Sequence, residues 1–387
     1  MNDTVTNIAI LGATGSSGRS TIEVVQASSG RLRVVALAAN SSAELLLEQA
    51  QQVSPRWLAL ADESAAAEVA ATQLPAGMEI LVGQAGLKQI AESPEVDVVV
   101  SAIVGSAGLQ STLAAIEAGK VVALANKETL VVAGPLVMDR CADTGARIIP
   151  IDSEHSAIFQ ALSAGRKPEV SRIILTASGG PFKDHTREEL AHVTREQALD
   201  HPTWDMGPKI TIDSATMMNK ALELIEARWL FDLSPDQIDV VIHPQSIVHS
   251  MVEFIDGSVV AQLSPPDMKL PIQYALSFPE RWPSPAEKID FSQSQQLTFE
   301  PPDENRFPAL RLGREVATAG GTAGAVLNAA NEAAVAEFLA GQISFTDIVP
   351  ACESVLAAHE FEAQPTLERL LELDAWARKE ITRWICL

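Results

Sequence analysis

Along the first 150 residues, unbroken runs of Val, Ile and Ala alternate with Ala- and Leu-rich stretches. NIAILG, RVVALAA, DVVVSAIV, KVVALAN and ARIIPI have the length and continuity of strands buried on both faces, and residues 17–28, 41–51, 63–73 and 106–119 read as helices between them. This alternation predicts an α/β segment, residues 1–150, built on a doubly wound parallel sheet that binds ligands at the carboxyl ends of its strands.

Past Pro150 the rhythm changes. Residues 171–177, 238–243, 248–254 and 258–264 read as strands with fewer helices between them, which predicts a central α+β domain over residues 151–278. Pro279, Pro283, Pro285, Pro301, Pro302 and Pro308 mark residues 279–308 as an extended linker. Residues 309–387 are helical in pattern, broken near Gly320-Gly321, Gly341, Pro350 and Pro365, and predict a small helical bundle. The chain contains neither internal repeats nor low-complexity tracts.

The 387 residues, 47% hydrophobic, suffice for two or three packed domains. A formal net charge of −22 excludes the basic footprint that nucleic-acid or anionic-membrane binding requires, so any anion must be held by local N–H groups, hydroxyls and a few lysines. Cys141, Cys352 and Cys386 are odd in number, far apart and outside any CxxC pattern, as expected in a reducing compartment. The opening MNDTVTNIAILGATG lacks the regions of a secretory leader, and no uncharged apolar run is long enough to span a bilayer; the expectation is a soluble, cytoplasmic protein.

Candidate chemistry begins at Gly12-Ala13-Thr14-Gly15-Ser16-Ser17-Gly18, between a strand and a helix. Glycines spaced by three let the chain turn tightly and present N–H groups to a pyrophosphate at the helix N-terminus; the bland alternative is an ordinary glycine-rich turn. The tip of the second strand reads Ala39-Asn40-Ser41-Ser42, without the carboxylate that selects the ribose diol of NAD, which leans toward a 2′-phosphate although no Lys or Arg stands there.

Two polar strings, Asp152-Ser153-Glu154-His155 and the run from Asp213 through Ser214, Asn219 and Lys220 to Glu223, mix carboxylates with hydroxyl, amide and ammonium groups. That composition suits a hard divalent cation beside a phosphorylated ligand. If the strand ARIIPID continues, Asp152 and Glu154 face one side. On a helix, Asn219 and Lys220 share a face with Glu223. Each string alone reads equally as a solvated strand end or a surface ion pair. Leu175–Phe182 is a strand entering a glycine turn with Ser178, a shape that suits phosphate oxygens. His201–Pro208 is a loop carrying Trp204 and Met206, read as a lid over substrate or as a loop pinned to the core. His243 and His249 are ligands or core histidines; His243 is read as structural.

In order and wording these strings resemble the 1-deoxy-D-xylulose 5-phosphate reductoisomerase family of the non-mevalonate isoprenoid pathway. The likeness runs through GATGSSG, SAIVGSAGL, LANKETLV, IDSEHSAIFQ, LTASGGPF, HPTWDMGPKITIDSATMMNKALELIEARWLF, IHPQSIVHSMV and LNAANEAAVAEFL. The resemblance implies an N-terminal Rossmann-like NADPH domain, a central catalytic domain with mobile loop 201–208, a linker, a C-terminal helical bundle and a homodimer. It implies a divalent cation (Mg, Mn or Co) on Asp152, Glu154 and Glu223, and a phosphorylated sugar contacted by Lys127, Ser153 and Glu154. Its phosphate falls to Ser178, His201, Ser214, Asn219 and Lys220, with Trp204 in the lid and His249 beside the substrate. Implied cofactor contacts are Thr14, Gly15, Ser16, Ser17, Asn40, Asn126, Glu128 and Gly207. The implied chemistry is a metal-assisted rearrangement, by retro-aldol and aldol steps, followed by reduction by NADPH to 2-C-methyl-D-erythritol 4-phosphate. Lys127 orients the oxygens, and one helix carrying Ser214, Asn219, Lys220 and Glu223 holds both ends of the substrate in register.

The chain departs from the family pattern at Asn40-Ser41, where a Gly-Lys or similar pair is common, and at Asp205, Ser264 and Lys269. Two rivals remain. A semialdehyde-dehydrogenase-type enzyme needs a nucleophilic cysteine in its second domain, where none lies between Cys141 and Cys352. A non-enzymatic NADPH sensor has no use for the carboxylates.

Overall fold

The computed structural model describes residues 5–70, 74, 75 and 77–386. The first four residues, residues 71–73 of the expected helix 63–73, Ala76, and Leu387 of the helical segment lie outside the described residues. Two compact units emerge: one holds the described residues up to Thr129, Val137–Ser156 and Asp267–Glu287, the other Leu130–Leu136, Ala157–Pro266 and the described residues from Lys288 on.

The chain begins β1 (Thr6–Leu11), α1 (Ser16–Ala27), β2 (Leu32–Ala39), α2 (Ala43–Val53), β3 (Trp57–Leu60), α3 (Glu63–Ala70), β4 (Glu79–Val82) and α4 (Gly83–Glu92). It continues β5 (Val98–Ser101), α5 (Leu109–Glu117), β6 (Val121–Leu124), α6 (Glu128–Thr144) and β7 (Arg147–Pro150). The strands form one parallel sheet in the order β4-β3-β2-β1-β5-β6-β7, so the winding reverses between β1 and β5. That switch point lies at the carboxyl end of β1, where the glycine turn sits. Ile8, Ala9 and Ile10 are fully buried, because helices cover both faces; this is why the strands read as continuous apolar runs. Four elements add to those legible in the sequence. β3 reads WLAL, without a β-branched residue, β4 is a partly exposed edge strand, and α6 hides behind a β-branched run and Pro135, with a kink at Ala133. The fourth is α4.

Helix α7 (Ser153–Ala161) leads to β8 (Val170–Ala177), α8 (Arg187–Leu190), α9 (Arg195–Leu199), α10 (Pro208–Ala215), α11 (Met218–Phe231), β9 (Ile238–Ile242), β10 (Val248–Phe254) and β11 (Val259–Leu263). The sheet order is β11-β10-β8-β9, with β8 and β9 parallel and the other pairs antiparallel. Helix α12 (Lys269–Ser277), read from sequence as part of the central segment, instead packs within the first unit against α1, and the Lys269 ammonium lies 3.5 Å from Glu23. The chain closes with α13 (Ala309–Ala319), α14 (Ala323–Leu339), α15 (Ile348–Ala358) and α16 (Leu367–Ile385).

In the second unit one apolar core runs from Ile173 and Leu175 of β8 through Leu222 and Ile225 of α11 to Leu310 of α13 and Ile381 of α16. Helix α11 is therefore buried nearly all round, which suits its low amphipathicity. Gly313 of α13 admits it closely: a Cβ there would lie 2.7 Å from that of Ala221. A carboxylate on such a helix is committed to a buried environment. Among the described residues no helix is long and apolar enough to cross a membrane.

Candidate functional site

In the first unit the glycine turn is set by backbone bonds and by space. The N–H groups of Gly12 and Ala13 both donate to Ala38 O of β2, at 3.0 and 2.8 Å. Gly12 has φ +96°, and a Cβ there would stand 2.4 Å from Ala102 O. Gly18 needs its missing Cβ for another reason: it would meet Gly12 O at 2.3 Å and Ala13 O at 2.4 Å. α1 thus starts against the turn, and the N–H groups of its first turn, with Thr14, Gly15, Ser16 and Ser17, lie at the helix N-terminus. Sequence reading missed Gln49 of α2, buried, whose Nε2 donates to Ala13 O at 2.8 Å and fixes the turn from behind; a lone Gln in a helical pattern carries no local signal. Asn40 is exposed at the end of β2.

Asn126 is buried and ties the loop after β5 to α6: its amide donates to Gly105 O at 2.9 Å and Glu128 at 3.1 Å, while its Oδ1 accepts the Thr129 N–H at 2.9 Å. Lys127, next in line, donates from Nζ to Asp152 Oδ2 at 2.6 Å, and both side chains are almost fully buried. The expectation that Asp152 and Glu154 share a strand face is overturned. β7 ends at Pro150, and Asp152 caps α7, its Oδ1 accepting the Glu154 N–H at 3.2 Å and its carbonyl the Ser156 N–H at 2.8 Å. A short acidic residue before a helix satisfies orphan N–H groups, which outweighs strand continuation. Ser153 Oγ donates to Glu154 within the same first turn.

In the second unit β8 runs into Ser178-Gly179-Gly180, whose glycines have φ +87° and +68°. A Cβ on Gly180 would lie 2.8 Å from Ser214 O, so the turn and the end of α10 touch. Ser178 Oγ accepts the Gly180 N–H at 3.2 Å and lies 3.0 Å from His201 Nε2. His201 Nδ1 accepts the N–H groups of Thr203 and Trp204, at 3.2 and 3.0 Å. That assigns the proton of the neutral ring to Nε2, facing Ser178, and burial pushes the imidazole below its ordinary range, favouring this neutral form. With two donors already on its oxygen, Ser178 keeps its own O–H to give.

Trp204 is half-buried in a loop without helix or strand, its ring 6.2 Å from that of His249 in an edge-on arrangement. His249 Nε2 lies 3.2 Å from Ser264 O. His243 is structural, as read: Nδ1 donates to Thr298 O at 2.8 Å, and Nε2 accepts the N–H groups of Ile247 and Val248 at 3.2 and 3.1 Å.

The second polar string is two helices, not one. α10 ends at Ala215 and α11 starts at Met218; between them Met217 sits in the left-handed region at φ +64°, strain that a non-glycine residue adopts only when its surroundings impose it. Ser214 therefore lies on α10 and Asn219, Lys220 and Glu223 on α11. Gly207 caps α10 in this second unit. Glu223 is 1% exposed and clamped by the Asn219 amide at 2.6 Å on Oε1 and by the Lys220 ammonium on Oε2. Asp213, by contrast, is occupied by Lys209 and Asn331, each at 2.8 Å, and serves to join α10 to α14. Each unit by itself offers hard-cation donors: in the first, the Asp152 carboxylate is oriented by Lys127 and the Glu154 N–H, and in the second, the Glu223 carboxylate is oriented by Asn219 and Lys220.

Three family models match successive segments. One described as 1-deoxy-D-xylulose 5-phosphate reductoisomerase matches residues 8–134, the C-terminal domain of that enzyme matches 148–231, and a DXP reductoisomerase C-terminal domain matches 263–380. The chain is 54% identical over 380 residues to the 1-deoxy-D-xylulose 5-phosphate reductoisomerase of Heliobacterium modesticaldum, covering 98% of this chain and 97% of that one. It is 53% identical to the enzyme of the same name from Symbiobacterium thermophilum, covering 96% of each. The reductoisomerase of Zymomonas mobilis in complex with NADPH superposes with a TM-score of 0.92 at 43% identity over 99% of both chains. A DOX-P reductoisomerase in complex with NADPH, fosmidomycin and magnesium gives 0.93 at 44% identity, again over 99% of both.

Proposed function

The chain belongs to the 1-deoxy-D-xylulose 5-phosphate reductoisomerase family, and on that premise we propose how its own residues perform the metal- and NADPH-dependent conversion of 1-deoxy-D-xylulose 5-phosphate to 2-C-methyl-D-erythritol 4-phosphate. The observation that carries the reading is Glu223, a carboxylate held on a buried helix between the Lys220 ammonium and the Asn219 amide. A buried charge of this kind costs several kcal/mol in desolvation, on the order of the Coulombic gain, and is a poor device for stability alone.

Asp152, Glu154 and Glu223 are the proposed ligands of the cation. Bound there, magnesium supplies Lewis-acid stabilisation of charge on the substrate oxygens, and NADPH on the glycine turn supplies the hydride. Lys127 holds Asp152 in one orientation and offers its remaining protons to the substrate, with Ser153 beside it. Ser178 donates its O–H to the phosphate, oriented for it by the His201 Nε2–H on the same oxygen, and Ser214, Asn219 and Lys220 complete the set. Because the phosphate is remote from the reacting carbons, its binding energy holds the reacting end in place. Trp204 and the loop around it exclude water when substrate is bound, with His249 supporting the indole edge.

The cysteine-nucleophile alternative finds no support in the thiols. Cys141 is buried and pushed up to about 11, Cys352 is fully buried and pushed further up, and a thiolate nucleophile needs the opposite shift. The test of function is direct. Purified protein is expected to consume NADPH on addition of deoxyxylulose phosphate with magnesium, and to stop when a chelator is added; turnover that persists without metal overturns the reading.

The assembly we propose is a homodimer in a reducing cytoplasm, where three free thiols are stable. β11 is a sheet edge with Val259 and Leu263 exposed and Ile255 nearby at 71% exposure, the features of a strand awaiting another strand. Light scattering is expected to give a dimer mass that Val259→Lys lowers; an unaltered dimer in that variant rejects this surface.

A further inference from the structure

We propose that Arg306 is a positioning residue for the phosphate subsite, acting as the buckle of a strap, residues 298–306, that holds the Ser178-Gly179-Gly180 turn from behind. This rests on the reading of Ser178 as a phosphate contact. By sequence the strap is part of a featureless proline-rich linker. In the structure it is tied to the second unit at every step. Thr298 O accepts from His243 Nδ1 at 2.8 Å, and the Thr298 hydroxyl accepts from Gln245 Nε2 at 2.9 Å. Glu300 pairs with Ile242 of β9 through both backbone bonds, at 2.9 and 2.8 Å.

The strap then reaches the turn. The Lys183 side chain lies under Gly179, where a Cβ would meet its Cδ at 2.9 Å, and its ammonium pairs with Glu300 at 3.2 Å. Arg306 Nη1 donates to the carbonyls of Lys183 and His185, both at 2.8 Å, while Nε donates to Asp303 at 2.8 Å. The two ties differ in weight. Lys183–Glu300 is a partly exposed ion pair, and such pairs contribute little. Arg306 instead gives one guanidinium nitrogen to two main-chain carbonyls while Nε rests on Asp303, which sets the path of residues 183–185 and so the exit from the turn.

Apolar packing supports these ties without replacing them: Phe307, next to Arg306, joins the same core as Met217 and Ile242. Between strap and turn lies a cavity of about 70 Å³ lined by Gly179, Met217, Ile242, Glu300, Arg306 and Phe307, so contact there is incomplete and the polar side chains that span it carry more of the turn's position. Met217, in its strained conformation, lines the same cavity, so the break before the Asn219-Lys220 turn faces the strap as well.

The experiment compares steady-state kinetics of Arg306→Ala, Arg306→Lys, Ser178→Ala and the Arg306→Ala/Ser178→Ala pair. Arg306→Ala is expected to raise KM for deoxyxylulose phosphate about ten-fold with kcat within about two-fold, because the turn is one of several phosphate contacts and those of Ser214, Asn219 and Lys220 still hold the reacting end in place once substrate is bound. NADPH affinity should be unchanged. Arg306→Lys, which keeps the charge but not the planar guanidinium that bonds both carbonyls and Asp303 at once, should recover part of the loss and covers the case that Arg306→Ala folds poorly. In the double variant the KM effects should be less than additive, since both act through one turn. A KM raised by Ser178→Ala but untouched by Arg306→Ala overturns the strap and leaves the phosphate reading standing. A KM untouched by Ser178→Ala overturns the phosphate reading, and the strap's proposed role with it. Full additivity, or loss of kcat and NADPH affinity together, reduces Arg306 to a general structural residue.

Discussion

Replacing Glu223 by glutamine is expected to abolish turnover while leaving NADPH binding intact. The side chain keeps its volume, so packing around α11 is preserved, and the change is one of charge and donor polarity. Glutamine presents one acceptor where the carboxylate presents two, and Glu223 now uses both, on Asn219 and Lys220. Its amide N–H groups would face an ammonium or another amide, donor against donor. Lys220, 3% exposed, would be left without the carboxylate it pairs with here, and removing one partner of a buried pair costs about 3–5 kcal/mol. Loss of a cation ligand adds to this, so we expect kcat to fall by roughly three orders of magnitude or more. Three measurements separate the contributions: NADPH consumption, NADPH affinity by fluorescence titration, and the melting temperature. Retained affinity with lost turnover and a lowered melting temperature is the expected pattern; full activity in this variant would sink the metal-ligand assignment.

The second large effect is expected from Gly18→Ala. The residue lies inside α1 with ordinary helical geometry, so strain is not the issue; space is. The new methyl would stand 2.3 Å from Gly12 O, 2.4 Å from Ala13 O and 2.5 Å from Ala13 C, all backbone atoms. They have no room to retreat, because Gly12 and Ala13 are bonded to Ala38 O and the Ala13 carbonyl is held by Gln49. α1 must move away from the turn, carrying the N–H groups that receive the pyrophosphate. We expect a stability loss of about 1–3 kcal/mol, as for other overpacked sites, and a fall in NADPH affinity of about a hundred-fold. Gly15→Ala is the informative partner: a Cβ there meets Gly12 O at 3.5 Å, ordinary contact, so its fold should be intact and any loss of affinity reports on the closeness of the cofactor itself. Unchanged NADPH titration in Gly18→Ala would reject the turn as the cofactor site.

These two positions also differ in how they could be found. Gly18 belongs to a local pattern, strand then spaced glycines then helix, and the backbone it must clear, Gly12 and Ala13, lies within six residues. Glu223 is different: alone, it reads as one end of a surface Lys–Glu pair at helical spacing. Only its burial, imposed by β8 and β9 on one side and α13 on another, turns an ordinary pair into a clamped charge. Asp152 and Glu154 were placed on a strand because ARIIPID gives no cue to its end, yet the capping bond from Asp152 to Glu154 was available in the same letters. The prolines of residues 279–308 mark an extended segment; that part of it reaches the Ser178-Gly179-Gly180 turn depends on carbonyls more than a hundred residues upstream.

By itself, then, the amino-acid order determined what short-range physics decides: the parallel α/β alternation, the glycine turn and its helix, and the chemical character of the polar strings. The tertiary structure alone decided the break at Met217 that divides Ser214 from Lys220, the bond from His243 to Thr298, the tautomer of His201, the return of α12 to the first unit, and the hold of Arg306 on the residues that follow the Ser178-Gly179-Gly180 turn. The physical reason is distance along the chain. Periodicity, capping and backbone conformation are set by neighbours a few residues apart, whereas burial, strain at a non-glycine residue and the assignment of a proton to one ring nitrogen are set by groups brought together only when the chain has folded.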